Sequence, residues 1–252
     1  MTYQISFSGG LASGVSALIA HENGLDFNLL FADTLIEDED LYRFNADIAK
    51  AVGKEIIVLR TGKTPWDSFV DNKWIGNSRT AHCSNDLKTV PVREWLKKNA
   101  LDSDPLVLGM DWSEQDRLER AQKRWDRPVV SLLNQFKVWR PSYEDYLKKY
   151  GIEKPRLYKY GFEHNNCGGF CVKAGQVQFE RLYRMMPERY DWHEKQMIIA
   201  SDKIGETARP FLRMTVGGDL KYLTLTEFRE HLERGTAELD MFSESGCGCF
   251  TD

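Results

Sequence analysis

Ser8-Gly9-Gly10-Leu11-Ala12-Ser13-Gly14 joins a strand-like start, residues 2–7, to a helix-like stretch. Glycines let backbone N–H groups approach a phosphate, the hydroxyls of Ser8 and Ser13 add donors, and the following helix presents its own unpaired N–H groups. The spacing fits neither Gly-x-x-x-x-Gly-Lys-Ser/Thr nor Gly-x-Gly-x-x-Gly. A plain strand-to-helix connection is the alternative. We expect a nucleotide site whose contacts come from Ser6, Ser8, Gly9, Gly10, Ser13 and Gly14.

The composition is that of an ordinary soluble protein, with 252 residues of which 42% are hydrophobic and 29% are charged. The sequence contains no apolar run as long as a membrane span, and its first residues lack a basic leader and a cleavable apolar segment. We therefore expect a cytoplasmic protein with no membrane partner. The formal net charge of -4 does not indicate nucleic-acid binding. One local basic cluster, which also fits a solvated helix face, comprises Arg117, Arg120, Lys123, Arg124 and Arg127.

Apolar strand-like runs alternate with amphipathic stretches through the first half, which predicts an α/β fold with a parallel twisted sheet flanked by helices. The predicted strands are 2–7, 27–32, 55–59 and 105–110, and the predicted helices are 13–22, 39–52 and 89–99. From about residue 128 the pattern becomes mostly helical, with a hairpin near 211–223 and a capping box at Thr224. We divide the chain into a nucleotide-binding core, 1–127, and a Cys-containing C-terminal subdomain, 128–252, packed on it.

Polar residues follow the second and fourth predicted strands. A carboxylate and a hydroxyl at Asp33 and Thr34 suit ribose, adenine or Mg²⁺. The acidic run after them, including Glu39 and Asp40, is interpreted as helix N-terminal charge. Gly109 permits close approach of a ligand at the end of the fourth strand. Arg117, one turn into the next helix, either holds a phosphate or sulfate bidentately or is an exposed helix arginine.

A thiol and a lysine precede the helix that begins near residue 89. Cys83 and Lys88 in one short segment at a helix N-terminus favour thiolate formation or anion binding. A buried cysteine beside a capping residue is the alternative.

The order of these motifs over roughly residues 2–125 resembles the phosphoadenosine phosphosulfate (PAPS) reductase branch of the PP-loop superfamily. The resemblance implies a Rossmann-like, HUP-type core that binds an adenine nucleotide: ATP with Mg²⁺, or the sulfonucleotides PAPS or adenylyl sulfate (APS). The segment 161–176 is similar to that of PAPS-reductase-like proteins often carried by phages and mobile elements.

Three positions depart from the family pattern. Ala12 stands where the superfamily's turn usually carries Asp, so we expect Mg²⁺ or pyrophosphate to be bound differently here. Ser84 follows Cys83 where related iron–sulfur reductases have a Cys-Cys pair. Cys247-Gly248 matches the nucleophilic cysteine of the reductase tail, but the family's histidine is absent.

In a reducing compartment, paired cysteines are more often metal ligands or redox thiols than disulfides. Either Cys167, Cys171, Cys247 and Cys249 hold a metal, or Cys83, Cys167 and Cys171 do so while Cys247 and Cys249 carry sulfur or electrons. The resemblance favours a [4Fe–4S] cluster, with Zn²⁺ or metal-free thiols as alternatives.

Two tryptophans are further candidates for nucleotide contact. Trp112 and Trp139 either stack a nucleobase or are core or rim aromatics.

Three functions fit these observations. In the first, ATP adenylates an unidentified acceptor with release of pyrophosphate, and cysteine-borne or cluster-borne sulfur displaces AMP. In the second, Cys247 attacks the sulfur of an adenylyl sulfate held by the turn and Arg117, through an enzyme thiosulfonate. In the third, the chain binds a nucleotide without catalysis. A sulfur or electron donor protein is a candidate partner for the first two, and the candidate catalytic residues are Cys83, Lys88, Arg117 and Cys247.

Overall fold

The computed structural model describes residues 1–77, 79–237 and 239. Its centre is a parallel five-stranded sheet with the strand order β3-β2-β1-β4-β5. The predicted α/β fold with a parallel sheet is therefore confirmed, and a short fifth strand is added to it. The strands are β1 (Tyr3–Ser6), β2 (Phe27–Asp33), β3 (Ile56–Arg60), β4 (Leu106–Val107) and β5 (Val129–Val130).

Helices connect and cover these strands. Their starts follow local signals: Asp38 caps the second helix by accepting a hydrogen bond from the Asp40 N–H, and Gly53 ends it in the left-handed conformation, φ 65°. The α-helices are α1 (Leu11–Glu22), α2 (Glu39–Val52), α3 (Pro65–Asp71), α4 (His82–Ser84), α5 (Val90–Asn99), α6 (Gln115–Arg124), α7 (Leu132–Gln135), α8 (Tyr143–Lys149), α9 (Arg156–Lys159), α10 (Gln176–Met185), α11 (Pro187–Ile204) and α12 (Leu225–Glu233).

The strand order reverses at β1. Both β2 and β4 pair with β1 in parallel, so the chain passes from one side of β1 to the other between β3 and β4. In open α/β sheets, ligands bind at such a switch point, in the crevice beyond the carboxyl ends of the strands. The turn after β1 and the loop after β4 meet at this edge.

Hydrophobic clusters lie on both faces of the sheet. One face is covered by α1, α2 and α8, with Phe7, Phe44 and Leu147 among its buried residues. The other face is covered by α5 and α6. Because β5 belongs to the sheet and Leu133 and Ile152 belong to the first cluster, the change of pattern near residue 128 does not coincide with the end of the sheet core.

A separate hydrophobic core holds the rest of the C-terminal half. It joins α10, α11, α12 and an antiparallel hairpin, β6 (Leu212–Val216) and β7 (Asp219–Leu223), around Phe170 and Tyr190. Helix α3 of the first half packs here against α11. Thr224 begins α12 with the predicted capping box. In the described part of the chain, no helix has the length and apolar character needed to cross a membrane.

Candidate functional site

A cavity of about 280 Å³ opens at the carboxyl edge of β1 and β4. We call it the anion cavity because most of its polar side chains are hydrogen-bond donors or cations. It lies at the switch point of the sheet, where the turn after β1 forms one wall. Its lining includes Ser6, Ser8, Gly10, Ser13, Lys88, Gly109, Glu114, Arg117, Arg140, Tyr143, Tyr158, Glu163, His164 and Asn165.

The turn presents the N-terminus of α1 to this cavity. Gly10 is the N-cap and supplies no side chain to the helix end, and the first helical turn carries no acidic residue. The Leu11 N–H donates to the Tyr158 hydroxyl at 3.2 Å. The Ser8 and Ser13 hydroxyl oxygens are 3.3 Å apart, so both face the same space. The arrangement suits an oxyanion held by hydroxyl and backbone donors.

Two glycines set the position of the turn. A Cβ on Gly109 would lie 2.7 Å from the Ser13 N and 2.9 Å from the Ala12 carbonyl carbon, so that only glycine lets the β4 loop approach α1 this closely. A Cβ on Gly14 would lie 2.8 Å from the Phe44 Cζ, where α1 crosses α2. Gly14 therefore packs against α2 and does not line the cavity.

Gly9 is held from the C-terminal half. Its φ of +78° requires glycine, and its carbonyl oxygen accepts a hydrogen bond from the Asn165 Nδ2 at 2.8 Å. Asn165 is 1% exposed, and its Oδ1 has no hydrogen-bond partner among the described residues.

Arginines form the outer wall of the anion cavity. Arg117 is hydrogen-bonded to Glu114 through Nη1, and the Arg140 Nη2 lies 3.8 Å from the Glu114 Oε2. Glu114 is thus hydrogen-bonded to one arginine and ion-paired with the other, so its carboxylate holds both guanidinium groups at this wall. Guanidinium groups are the side chains best suited to bidentate contacts with phosphate or sulfate.

A smaller cavity of about 40 Å³ lies beside the first. We call it the thiol cavity, because its lining includes Thr34, Cys83, Cys167 and Cys171. Lys88, only 5% exposed, lines both cavities and donates from Nζ to the Cys167 Sγ at 3.5 Å. One ammonium group therefore links the anion cavity to a thiol.

Cys83 and Cys167 differ in their surroundings. Burial raises the pKa of the Cys83 thiol to about 12, helped by the neighbouring Cys167 and opposed by Lys88. Cys83 is consequently a protonated thiol at neutral pH. The Cys167 N–H donates to the Glu37 carboxylate, whose other oxygen accepts from the Thr34 hydroxyl at 2.8 Å. Burial raises the pKa of Glu37, against the opposing charge of Lys88.

The backbone around Cys167 is left-handed. Cys167 has φ 53° and Gly168 has φ 59°. A Cβ on Gly168 would lie 2.5 Å from the Ile36 carbonyl oxygen. The loop from Cys167 to Cys171, which we call the cysteine loop, therefore packs directly on the segment after β2. Arg189 of α11 donates to that same carbonyl at 2.8 Å and fixes both segments.

Asp33, expected to contact the nucleotide, lines neither cavity. Its carboxylate accepts hydrogen bonds from the Leu35 N–H and the Tyr42 hydroxyl, both at 2.9 Å, and from the Arg60 Nε at 2.8 Å. Asp33 is 1% exposed and joins β2, β3 and α2. Thr34, beside it, lines the thiol cavity and not the anion cavity.

The described residues do not supply a metal site. Among residues 1–77, 79–237 and 239, no group of three or more His, Cys, Asp or Glu side chains is arranged to hold a metal ion. Within that part, Cys83, Cys167 and Cys171 are thiols that form no disulfide. The expected contributions of Cys247 and Cys249 lie outside the described residues. We therefore derive no step through a cluster, Zn²⁺ or Mg²⁺.

Several residues of the site carry no local signal. Tyr158 and Arg140 lie in the C-terminal half, outside every motif, and reach the turn only through folding. Asn165 looks like a loop former, and Glu37 looks like part of the charge at the start of α2. For Glu37, the only hint in the sequence is its place before the N-cap Asp38, outside the helix itself.

A family model described as the phosphoadenosine phosphosulfate reductase domain matches residues 2–168. Two uncharacterised proteins of Methanocaldococcus jannaschii are similar to the chain. One is 28% identical over 193 residues, covering 74% of this chain and 45% of the relative. The other is 23% identical over 192 residues, covering 74% and 39%. The chain thus spans less than half the length of these curated relatives.

Among solved structures, the phosphate complex of PAPS reductase from Candida auris is similar, with a TM-score of 0.44 and 17% identity. The similarity covers 64% of this chain and 78% of that one.

Proposed function

Because the chain belongs to the phosphoadenosine phosphosulfate reductase domain family, we propose that it binds an adenylyl sulfate, PAPS or APS, in the anion cavity. Protein thiols then reduce the sulfuryl group to sulfite. One observation carries the proposal: Lys88 lines the anion cavity and donates to the Cys167 thiol at 3.5 Å. An oxyanion bound on the turn would therefore lie close to the Cys167 thiol, on the other side of Lys88.

The anion cavity would hold the charged part of the substrate. The Ser8 and Ser13 hydroxyls and the Arg117 and Arg140 guanidinium groups line this cavity beside the N-terminus of α1. Fixed donors and cations of this kind stabilise the charge that develops on the leaving phosphate as the sulfur–oxygen bond breaks. Lys88 adds an ammonium group on the side that faces the thiols.

The chemistry needs two thiols. A cysteine thiolate attacks the sulfuryl sulfur, so that a sulfur–sulfur bond forms and the nucleotide leaves as adenosine bisphosphate or AMP. A second thiol then attacks the cysteine sulfur, which releases sulfite and leaves a disulfide. The two thiols are oxidised by two electrons while the sulfuryl group becomes sulfite. An external thiol donor protein restores the thiols, and the reducing cytoplasm is the compartment we propose.

We propose Cys247 as the attacking residue, on its match to the reductase tail. The test is sulfite release from PAPS and APS by the purified chain with a dithiol reductant, with the nucleotide product followed by chromatography. Cys247→Ser should abolish sulfite release, whereas the matched control Cys249→Ser should retain the first turnover. A wild-type chain that releases no sulfite from either sulfonucleotide would exclude this function.

The same assay distinguishes reduction of a sulfonucleotide from the alternative function, ATP-dependent adenylation. ATP-dependent adenylation needs Mg²⁺ at the phosphates, yet Ala12 stands where the superfamily turn usually has Asp, and Asp33 is hydrogen-bonded within the protein. Release of pyrophosphate from ATP and Mg²⁺, with no sulfite from PAPS or APS, would support adenylation instead.

A further inference from the structure

A third cavity, of about 560 Å³, adjoins the anion cavity. We call it the tryptophan cavity, because Trp112 and Trp139 line it together with Asp111, Ser113, Arg140 and Pro141. Trp112 is 65% exposed and Trp139 is 47% exposed, so neither belongs to the core. Large exposed apolar surfaces at a cavity usually mark a binding site.

The walls of this cavity are held by one buried carboxylate. Asp111 is 1% exposed and accepts hydrogen bonds from the Ser113 N–H at 2.9 Å, the Ser113 hydroxyl at 2.5 Å and the Tyr143 hydroxyl at 3.1 Å. Its Oδ2 also lies 3.5 Å from the Arg140 Nε. The turn that carries Trp112 and the segment that carries Trp139 are thus joined to the same group. The backbone segments that carry the two indoles are therefore held in place before a ring binds, which lowers the ordering cost of binding.

The tryptophan cavity and the anion cavity meet at one residue, Arg140. Arg140 lines both, and its side chain is 59% exposed. A molecule whose phosphate or sulfate lies on the α1 turn can therefore extend past Arg140 to the indoles. A planar ring is the chemistry that fits two indoles and a guanidinium group, since aromatic faces and arginine both stack on such rings.

We propose that Trp112 and Trp139 form a subsite that stacks a nucleobase. The base belongs either to the nucleotide in the anion cavity or to a second nucleotide unit that lies next to it. This inference rests on the nucleotide binding of the proposed function and not on its reaction. A chain that binds nucleotides but releases no sulfite would leave the subsite intact.

The test compares Trp112→Ala and Trp139→Ala with Trp192→Ala, a control at another exposed tryptophan, 39% exposed, that lines neither cavity. Titration calorimetry measures the binding of AMP, of ribose 5-phosphate, which has the phosphate without a base, and of the dinucleotide pApA. Both Trp112→Ala and Trp139→Ala should weaken a base-bearing probe by about tenfold. They should leave ribose 5-phosphate unchanged, and Trp112→Phe should recover most of the affinity.

The two probes separate the two sources of the base. Weakened AMP binding places the base of the bound nucleotide on the indoles, whereas weakened pApA with unchanged AMP places a second nucleotide unit there. If neither probe is affected, or ribose 5-phosphate is weakened equally, the subsite is overturned. If the wild-type chain binds none of the three probes, the subsite and the proposed nucleotide binding fall together.

Discussion

Lys88 lies three residues before a proline, in the segment that joins α4 to α5. Pro91 has no N–H, and its ring clashes with the carbonyl of the residue four positions before it. The segment from α4 to α5 accommodates this with a π-helical turn, Asn85–Thr89, which carries Lys88 on its inner side. The ammonium group therefore reaches between the two cavities, while the later lysines of α5 are exposed.

Lys88→Met should lower kcat/KM for sulfite release by about 100-fold, because the ammonium group beside the oxyanion and the thiol is lost. It should also weaken binding of inorganic phosphate. Lys98→Met, at the exposed end of α5, is the control and should stay within about twofold, as expected for a surface change away from the site. Equal effects of the two substitutions on sulfite release would contradict a role for Lys88.

Gly109→Ala tests the close approach of the β4 loop to the turn. Its Cβ would meet backbone atoms of Ala12 and Ser13, which cannot move without shifting the start of α1. We expect a loss of about 1–3 kcal/mol in the free energy of unfolding, measured with urea, together with weaker phosphate binding. A Cβ in Gly10→Ala would meet the Tyr158 hydroxyl at 3.4 Å and the Ser8 Oγ at 3.7 Å, both ordinary contacts, so this change should cost less than about 1 kcal/mol. If Gly109→Ala changed neither the free energy of unfolding nor phosphate binding, the turn would not be held by this contact.

At the scale of elements, the cysteine loop depends on α3 and α11. Phe170, between Cys167 and Cys171, stacks on the His193 ring of α11 with centroids 4.0 Å apart. The His193 Nδ1 accepts a hydrogen bond from the Trp66 Nε1 of α3 at 3.1 Å, so the proton of the neutral ring lies on Nε2. Burial, with the charge of Arg189, holds the pKa of His193 well below its ordinary value of 6.5.

His193 makes stability fall in acid. Below pH 6.5 the unfolded chain protonates this histidine while the folded protein keeps it neutral, so the unfolded state binds more protons. The free energy of unfolding then decreases by up to about 1.4 kcal/mol for each pH unit, until the pH reaches the folded pKa. His193→Gln, which does not titrate, should show a smaller decrease between pH 7.5 and 5.5 in urea denaturation. An identical decrease in both proteins would contradict the assignment.

At the scale of the whole molecule, the segment between α8 and α10 binds the C-terminal half to the sheet. Arg156 donates from Nε and Nη2 to the two oxygens of Asp38, both at 2.9 Å, and the Asp38 side chain is fully buried. Tyr158 and Asn165 from the same segment hold Leu11 and Gly9 of the turn. The anion cavity is thus assembled from both halves of the chain.

Arg156→Ala should therefore destabilise the protein as a whole. It leaves the buried Asp38 carboxylate without its two guanidinium donors, which we expect to cost about 1–3 kcal/mol in the free energy of unfolding. Arg184→Ala, which breaks an exposed pair with Glu180 within α10, is the matched control and should cost less than about 0.5 kcal/mol. Urea denaturation measures both, and similar losses would contradict a structural role for the Arg156–Asp38 pair.

Features that depend on neighbouring residues could be predicted from the sequence. These features rest on interactions within a few residues. They are the turn after β1, the four predicted strands, the left-handed end of α2 at Gly53 and the capping box at Thr224. Hydrophobic periodicity and backbone preference act at that distance, so each such segment carries its own signal. Strand β5 shows no period of its own and is paired only through β4, which is equally short but lies within the predicted strand 105–110.

The composition of the site depended on distant contacts. The sequence by itself determined that a Ser/Gly turn followed by a helix N-terminus stands at the start of a parallel α/β sheet, because such a turn depends only on neighbouring residues. Only the tertiary structure decided that Tyr158 and Asn165 reach the turn across 147 and 156 positions of sequence, and that Asp33 is hydrogen-bonded within the protein. It also decided that Lys88 lies between oxyanion donors and a thiol. Such contacts depend on how helices pack and which residues become buried, and neither property is contained in any one segment.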